Sequence, residues 1–273
     1  MILGVTQETG RLLMAAHYGA GHEEKLMSFS IDSGAAKAEE LQSKSILEQA
    51  GETERGLFSE AEKIIYSLPS INTYLKLVDV DNEVLAKNEK FLDWIAGNFL
   101  PGAANNYHYD FIPLTHSFDA ARTEFLFFAA MRHFLADMRI KLCGQAELNI
   151  KFLPEQLGLV RTLAKSLGKA SGGQAGIVHC TENCITAVYA RDGRYSHSRF
   201  FANYLTRKAE VAVDIETYFL SRADAVESLP LVITGNTGCF TTGWSPIVPV
   251  FLGIHNMEYA GVWGVADHAM RGV

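Results

Sequence analysis

MILGVTQETGRLLMAAHY (residues 1–18) and AGIVHCTENCITAVYARDG (residues 175–193) follow one plan: an apolar run, a short polar turn and a second apolar run. Each reads as a β-hairpin. In the first, Ile2 to Val5 and Arg11 to His17 flank the turn Gln7-Glu8-Thr9-Gly10, where Gly10 can take positive φ and Glu8 stands at the loop tip. In the second, the hairpin from Gly176 to Tyr189 encloses Thr181-Glu182-Asn183, and Asp192-Gly193 supplies a further turn. The repeat predicts a duplicated α/β architecture of two lobes. The backbone N–H groups of such turns are suited to cradling phosphates.

With 273 residues, of which 48% are hydrophobic, the chain can fill one large or two medium cores. A net charge of −7 without any dense Lys/Arg run gives no general attraction to nucleic acid. The start lacks a basic segment followed by a continuous apolar one, and the apolar stretch Phe125 to Met131 is far short of the roughly 20 residues that cross a bilayer. The expectation is a cytoplasmic protein without direct membrane insertion. Four scattered cysteines, Cys143, Cys180, Cys184 and Cys239, suit reduced thiols better than a disulfide framework.

Between the hairpins, residues 33–63 have a helix-forming bias, with Gly51 and Gly56 as interruptions. Ile64 to Leu68 reads as a buried strand. From Ile71 to Lys151 the order is strand (Thr73 to Val78), helix (Glu83 to Leu100), strands (Tyr107 to Leu114 and Glu124 to Ala129), helix (Met131 to Lys141) and strand (Glu147 to Phe152). That order fits a small split βαβ unit. A helix over Glu155 to Leu167 precedes Gly168-Lys169-Ala170-Ser171-Gly172-Gly173-Gln174, which reads as a hinge. The predicted division is therefore 1–168, carrying the inserted unit over 69–152, and 169–273. In the second part a strand over Tyr195 to Phe201, a helix over Thr206 to Arg222, a short strand over Leu231 to Thr234 and a helix over Val262 to Met270 follow; Phe240 to Val250 has no clear periodicity.

Gly235-Asn236-Thr237-Gly238 closes the strand at Leu231 to Thr234 with a glycine turn, which lets a backbone approach a purine and phosphate closely. Its weight comes from standing third in order after two matching hairpins. His179, Cys180 and Cys184 have the right atoms for zinc but lack a standard spacing, and neighbouring strand residues face opposite ways. Buried apolar cysteines are the simpler reading. The histidines show no paired metal spacing, no nucleophile elbow is present, and Asp81 or Asn82 reads as a helix cap rather than an acid or base. No catalytic residue and no metal site are assigned.

The collinear series LGVTQETGRLL, IIYSLPSINTYLKLVDVDNE, FLDWIAGNFLPGAANNYHYDFIPL, FLFFAAMRHFLADMRI, GIVHCTENCITAVYARDGRYSHSRFF and LVITGNTG resembles the PilM family of actin-like, FtsA-related type IV pilus assembly proteins. The cytoplasmic region of GspL, from type II secretion, is a more distant likeness. The resemblance spans most of the chain. It implies an actin-like (ribonuclease H-like) two-lobed fold with a 1C-type subdomain over 69–152.

The resemblance also implies a nucleotide site at Glu8, Thr9, Gly10, Thr181, Glu182, Asn183, Gly235, Asn236, Thr237 and Gly238. That site departs from the family pattern. Thr6 stands where an acid is expected in the first loop, His179-Cys180-Thr181 replaces Asp-x-Gly in the second, and Asn236 adds a side chain in the third. A hydroxyl cannot supply the charge that holds magnesium. The stretch from Arg199 to Thr206 also leaves little room for the helical 2B subdomain, so 2B is expected to be reduced or missing.

These departures imply a pseudo-ATPase without cofactor, and the resemblance implies a scaffold at the inner membrane, held there peripherally by the cytoplasmic tail of a PilN-like protein, with self-association open. The aromatic segments Tyr107-His108-Tyr109 and Phe125-Leu126-Phe127-Phe128 suggest a docking groove beside the 1C-type unit. The alternative is an active actin-like ATPase of the same machinery, binding ATP with magnesium, with Glu8 as a displaced acid.

Overall fold

The computed structural model describes residues 1–8, 11–18, 24–30, 44–88, 90–114, 121–167, 173–181, 184–222, 229–235, 248–251 and 259–270. Along the first part run β1 (Ile2–Glu8), β2 (Arg11–His17), β3 (Glu24–Ser30), α1 (Ile46–Gln49), α2 (Glu52–Glu60), β4 (Lys63–Leu68), β5 (Tyr74–Asp81), α3 (Asn82–Lys87), α4 (Phe91–Phe99), β6 (Tyr107–Pro113), β7 (Arg122–Met131), α5 (Arg132–Cys143) and β8 (Ile150–Pro154). α6 (Glu155–Leu167) leads to β9 (Gln174–Cys180), β10 (Cys184–Arg191), β11 (Arg194–Ala202), α7 (Lys208–Leu220), β12 (Pro230–Gly235), β13 (Val248–Phe251) and α8 (Ala260–Met270).

The duplication is literal. One five-stranded sheet has the order β3-β2-β1-β4-β8 and the other β11-β10-β9-β12-β13. In both, the hairpin strands are antiparallel and the remaining two join in parallel. A third sheet, β5-β7-β6, is the inserted unit. Strand alternation divides its sides. Phe127 and Ala129 pack with Ile95 and Ala96 of α4, while Leu126, Phe128 and Ala130 join Leu135 and Met138 of α5 in the main core.

Several expectations need correction. β1 continues to Glu8, so Glu8 ends a strand rather than tipping a loop. Gly51 does break the helical stretch as the N-cap of α2, but Gly56 lies inside α2. The helix expected over Glu83 to Leu100 is two, α3 and α4, because Asn88 ends the first and its Oδ1 accepts from the Lys90 N–H at 3.2 Å. Asp81 caps α3 through the Glu83 N–H at 2.8 Å, as read from the sequence. Between β11 and α7 there is one 3-10 turn, Tyr204–Thr206. Gln174 opens β9, whereas the rest of the expected hinge up to Gly172, and residues 240–247, lie outside the described residues.

The two lobes exchange helices. α6, which follows the first sheet, packs on β9, β10 and β11 of the second, and α8, which ends the second part, packs on β1, β2 and β4 of the first. The helices cross in contact. A Cβ on Gly158 would collide with the Gly261 carbonyl oxygen, and one on Gly264 with the Gly158 carbonyl oxygen, so the crossing has backbone against backbone. Around it Thr162 donates to the Ala260 carbonyl at 2.6 Å, and Arg161 donates through Nε and Nη2 to Asp267 Oδ2 at 3.1 and 2.7 Å. Ile177, Val188 and Val232 of the second sheet thereby share one core with Leu3, Val5 and Leu157.

Gly158→Ala and Gly264→Ala should each destabilise the fold by about 3 kcal/mol in urea unfolding, because the neighbouring backbone cannot yield. Gly97→Ala, with open space around its Cβ on α4, should instead gain up to about 1 kcal/mol. A second prediction concerns acid. Burial first, then Arg161 and Lys151, hold the His268 imidazole down at about 4, against the opposite pull of Asp267. The unfolded chain takes up that proton near 6.5. Stability present at neutral pH is therefore lost as pH falls from about 6.5 towards 4, by about 3 kcal/mol in all. His268→Gln should show a shallower fall in unfolding free energy over that window; equal slopes contradict the assignment.

Candidate functional site

Two places bring polar side chains together: the junction of the lobes and a groove beside the inserted unit. At the junction the C-terminal ends of β1, β9 and β12 converge with the start of α6. Of the residues expected to line a nucleotide site, Glu8, Thr181 and Gly235 are described here. Thr9, Gly10, Glu182, Asn183, Asn236, Thr237 and Gly238 lie outside the described residues.

Each described member is already engaged. Glu8 accepts from Arg11 Nη2 at 2.8 Å and Nε at 3.2 Å across the hairpin end. Thr6 donates to the Ser67 carbonyl at 3.1 Å. His179 is buried, with Nδ1 3.0 Å from Thr234 Oγ1 on the adjacent strand. Thr181 turns back on Cys184, its N–H and hydroxyl donating to that carbonyl at 2.9 and 3.0 Å, and its own carbonyl accepts from Tyr204 Oη at 2.8 Å. Gly235 has φ +79°, and a Cβ there would strike the Cys180 carbonyl, so only glycine fits where β12 passes β9.

The cysteines follow the pleat. Cys180 lies in the core under α7, on the opposite face from His179. Burial pushes the Cys184 thiol up to about 11; Glu155 adds to this, the Thr181 hydroxyl opposes it, and Glu8 adds again. The thiol therefore keeps its proton at neutral pH. Among the described residues no group of three or more His, Cys, Asp or Glu side chains is gathered as a metal site needs.

The centre of the junction is a buried carboxylate that sequence reasoning passed over. Glu155, the first residue of α6, accepts from the Ser70 N–H at 3.1 Å and the Ser70 hydroxyl at 2.6 Å in its own lobe, and from the Thr186 hydroxyl of β10 at 2.6 Å. Gln156 Nε2 donates to Ser70 Oγ at 2.7 Å. Three donors from two lobes meet one carboxylate, which compensates its loss of water. The signal was faint: Glu155-Gln156 opens an otherwise apolar-patterned helix directly after a buried strand, and Thr186 interrupts an apolar run.

The groove has a volume of about 460 Å³ and lies between β6, β8 and α5. Leu135, Ile150 and Phe152 form its apolar floor with Ala136, while Arg132 and Arg139 of α5, Lys151 of β8 and His108 and Asp110 of β6 form its walls. β6 and β8 each end their sheet among the described strands, so two strand edges face one recess. The arginines already touch those edges: Arg132 Nε donates to the Tyr107 carbonyl at 2.9 Å, and Arg139 Nη2 reaches the Ile150 carbonyl at 3.4 Å. The two aromatic segments expected beside a groove are split by the strand period: His108 lines the groove and Phe128 lies on its face in the main core, whereas Tyr107, Tyr109, Phe125 and Phe127 turn to the opposite face and pack with α4.

Paired five-stranded sheets of identical order, exchanged helices and a three-stranded insertion decide the architecture. The fold is actin-like. A chain of the PilM-PilN type IV pilus biogenesis complex superposes with a TM-score of 0.67 over 98% of both chains at 13% identity. The cytoplasmic domain of EpsL, an inner membrane component of the type II secretion system of Vibrio cholerae, superposes with a TM-score of 0.53 at 12% identity, over 98% of this chain and 94% of that one. No protein-family model and no curated protein matches the chain. The inserted β5-β7-β6 unit lies where the sequence led to a 1C-type subdomain being expected, and its edge strand β6 contributes His108 and Asp110 to the groove.

Removing the junction acceptor should be costly. Glu155→Ala leaves the Ser70 and Thr186 donors buried without their partner and should lower unfolding free energy by about 3 kcal/mol. In a double-mutant cycle with Thr186→Val, a coupling above about 1 kcal/mol is expected across the lobes. Additive losses contradict a shared clamp.

Proposed function

We propose that this protein is a non-catalytic actin-like scaffold of a type IV pilus or type II secretion assembly platform, and that it binds the cytoplasmic tail of a PilN-like membrane protein in the groove between β6, β8 and α5. The observation that carries the reading is the recess itself. Two strand edges, an apolar floor and charged walls suit an extended peptide, which can add main-chain hydrogen bonds to an edge and seat alternate side chains. The likeness to a chain of a PilM-PilN complex supports the identity of the partner. No helix among the described residues is long and apolar enough to cross a membrane, which fits a protein held at the membrane by its partner.

The nucleotide site is read as vestigial. Thr6 and His179, at the positions of the expected acids, are committed to Ser67 and Thr234, and the Glu8 carboxylate is committed to Arg11. A magnesium ion favours carboxylate and water oxygens that such pairs do not leave available. The polar clamp at Glu155 further ties the lobes together through the protein's own side chains.

Two measurements test this. The tail of the PilN-type protein from the same cell, as a labelled peptide, should bind the full chain, and Ala136→Trp, which fills the groove from the exposed side of α5, should abolish binding while leaving Tm unchanged. Absence of tail binding, or equal binding to the variant, contradicts the docking site. Millimolar ATP with magnesium should leave Tm unmoved. A retained site at a hundred times its Kd would add about 2.7 kcal/mol and raise Tm by roughly 5 °C or more.

A further inference from the structure

We infer that the groove selects an acidic segment: an extended stretch of about five residues laid along β8, with apolar side chains on the floor and Asp or Glu carboxylates held by Arg132, Arg139 and Lys151. This rests on the docking reading above and adds the chemistry of the occupant.

Charge is the first ground. The chain as a whole carries −7, yet the walls of this recess hold three permanent cations against the single carboxylate of Asp110. Among the described residues none of Arg132, Arg139 and Lys151 forms an ion pair. The arginines spend one N–H each on the strand carbonyls of Tyr107 and Ile150, and the remaining guanidinium donors have no carboxylate to meet. His108 feels the same field. Burial first holds its imidazole below the usual range, Asp110 pulls it upward, and Arg132 and Lys151 push it down again.

Geometry is the second ground. Positions 132 and 139 are two turns apart on one face of α5, roughly 10 Å along the axis. Arginine side chains are long and flexible enough to reach from there to carboxylates two or four apart, which share one side of an extended chain at separations of about 7 and 13 Å. Along β8, the Asn149 carbonyl accepts from Ile64 N–H in the sheet, whereas the next carbonyl, of Ile150, turns away to Arg139. The Ile150 N–H is bonded to the Leu148 carbonyl, so the edge that β8 offers the recess is the N–H and carbonyl of Phe152, which lie on the same side by the strand period. An acidic chain with alternating apolar residues satisfies edge, floor and walls together. Because the cations line a recess and not a flat face, a peptide fits better than a bilayer surface.

The test uses the full chain and a random phage-displayed dodecapeptide library, selected in parallel on the wild type and on Ala136→Trp. Wild-type-specific peptides should be enriched in Asp and Glu alternating with apolar residues. Their affinity should fall about ten-fold or more with Arg139→Glu and with Lys151→Glu, and should weaken from 50 to 300 mM salt. Thermal melts of both variants confirm that they fold, and an Asp→Lys peptide should recover affinity for Arg139→Glu. Groove-dependent peptides that are neutral or basic, and indifferent to both charge reversals, overturn the acidic occupant while leaving docking intact. No groove-dependent peptide overturns both readings. Co-sedimentation with vesicles containing a quarter phosphatidylglycerol, abolished by the charge reversals while no peptide is selected, overturns the proposal in favour of a lipid surface.

Discussion

The crossing of α6 over α8 is the constraint on which the rest of the structure depends. Two helices can approach until a carbonyl of one lies against the backbone of the other only if the contact positions lack Cβ atoms, and Gly158 and Gly264 meet that requirement, facing the carbonyls of Gly261 and Gly158. Because each helix packs on the sheet of the other lobe, the crossing works as a reciprocal hook: neither lobe can rotate away without dragging a helix from its partner. The same hook fixes where α6 begins. Its first residue, Glu155, is thereby held between Ser70 of one lobe and Thr186 of the other, and the polar clamp follows from the packing.

This arrangement separates two surfaces that the duplicated fold offers. At the junction, strand ends that elsewhere could receive a phosphate are occupied with one another: His179 with Thr234, Thr181 with Cys184, Glu8 with Arg11. Beside the inserted unit, in contrast, cations stand around an apolar floor between two strand edges with no internal carboxylate beyond Asp110 to neutralise them. Polar groups that have found partners stabilise a fold; cations turned into a recess with hydrogen bonds to strand carbonyls but no ion pair among the described residues are poised for an outside carboxylate. The difference in satisfaction between the two places, more than their shape, supports a binding role at the groove.

Much of the architecture was legible in the sequence because it rests on period and repetition. The two hairpins, the span of α6 and the order of the inserted strands and helices follow from apolar spacing alone. What escaped depends on contacts between distant segments. The α3 to α4 break turns on one side-chain hydrogen bond from Asn88, which no periodicity carries. Glu155 looked like an ordinary first-turn acid, since its partners lie 85 and 31 positions away. The groove was anticipated beside the right strands, and His108 does line it, but most of the segment's aromatics turn to α4; the rest of the wall comes from Asp110, Lys151 and one face of α5, a pairing only the tertiary fold reveals.

The most direct measurement of the central claim is hydrogen–deuterium exchange on the full chain with and without the tail of a PilN-type protein, the proposed partner. Slowed exchange confined to β6, α5 and β8, with residues 174–181 and 230–235 unchanged, is the predicted result. Protection centred on the lobe junction, with β8 exchanging as in the free protein, contradicts the account.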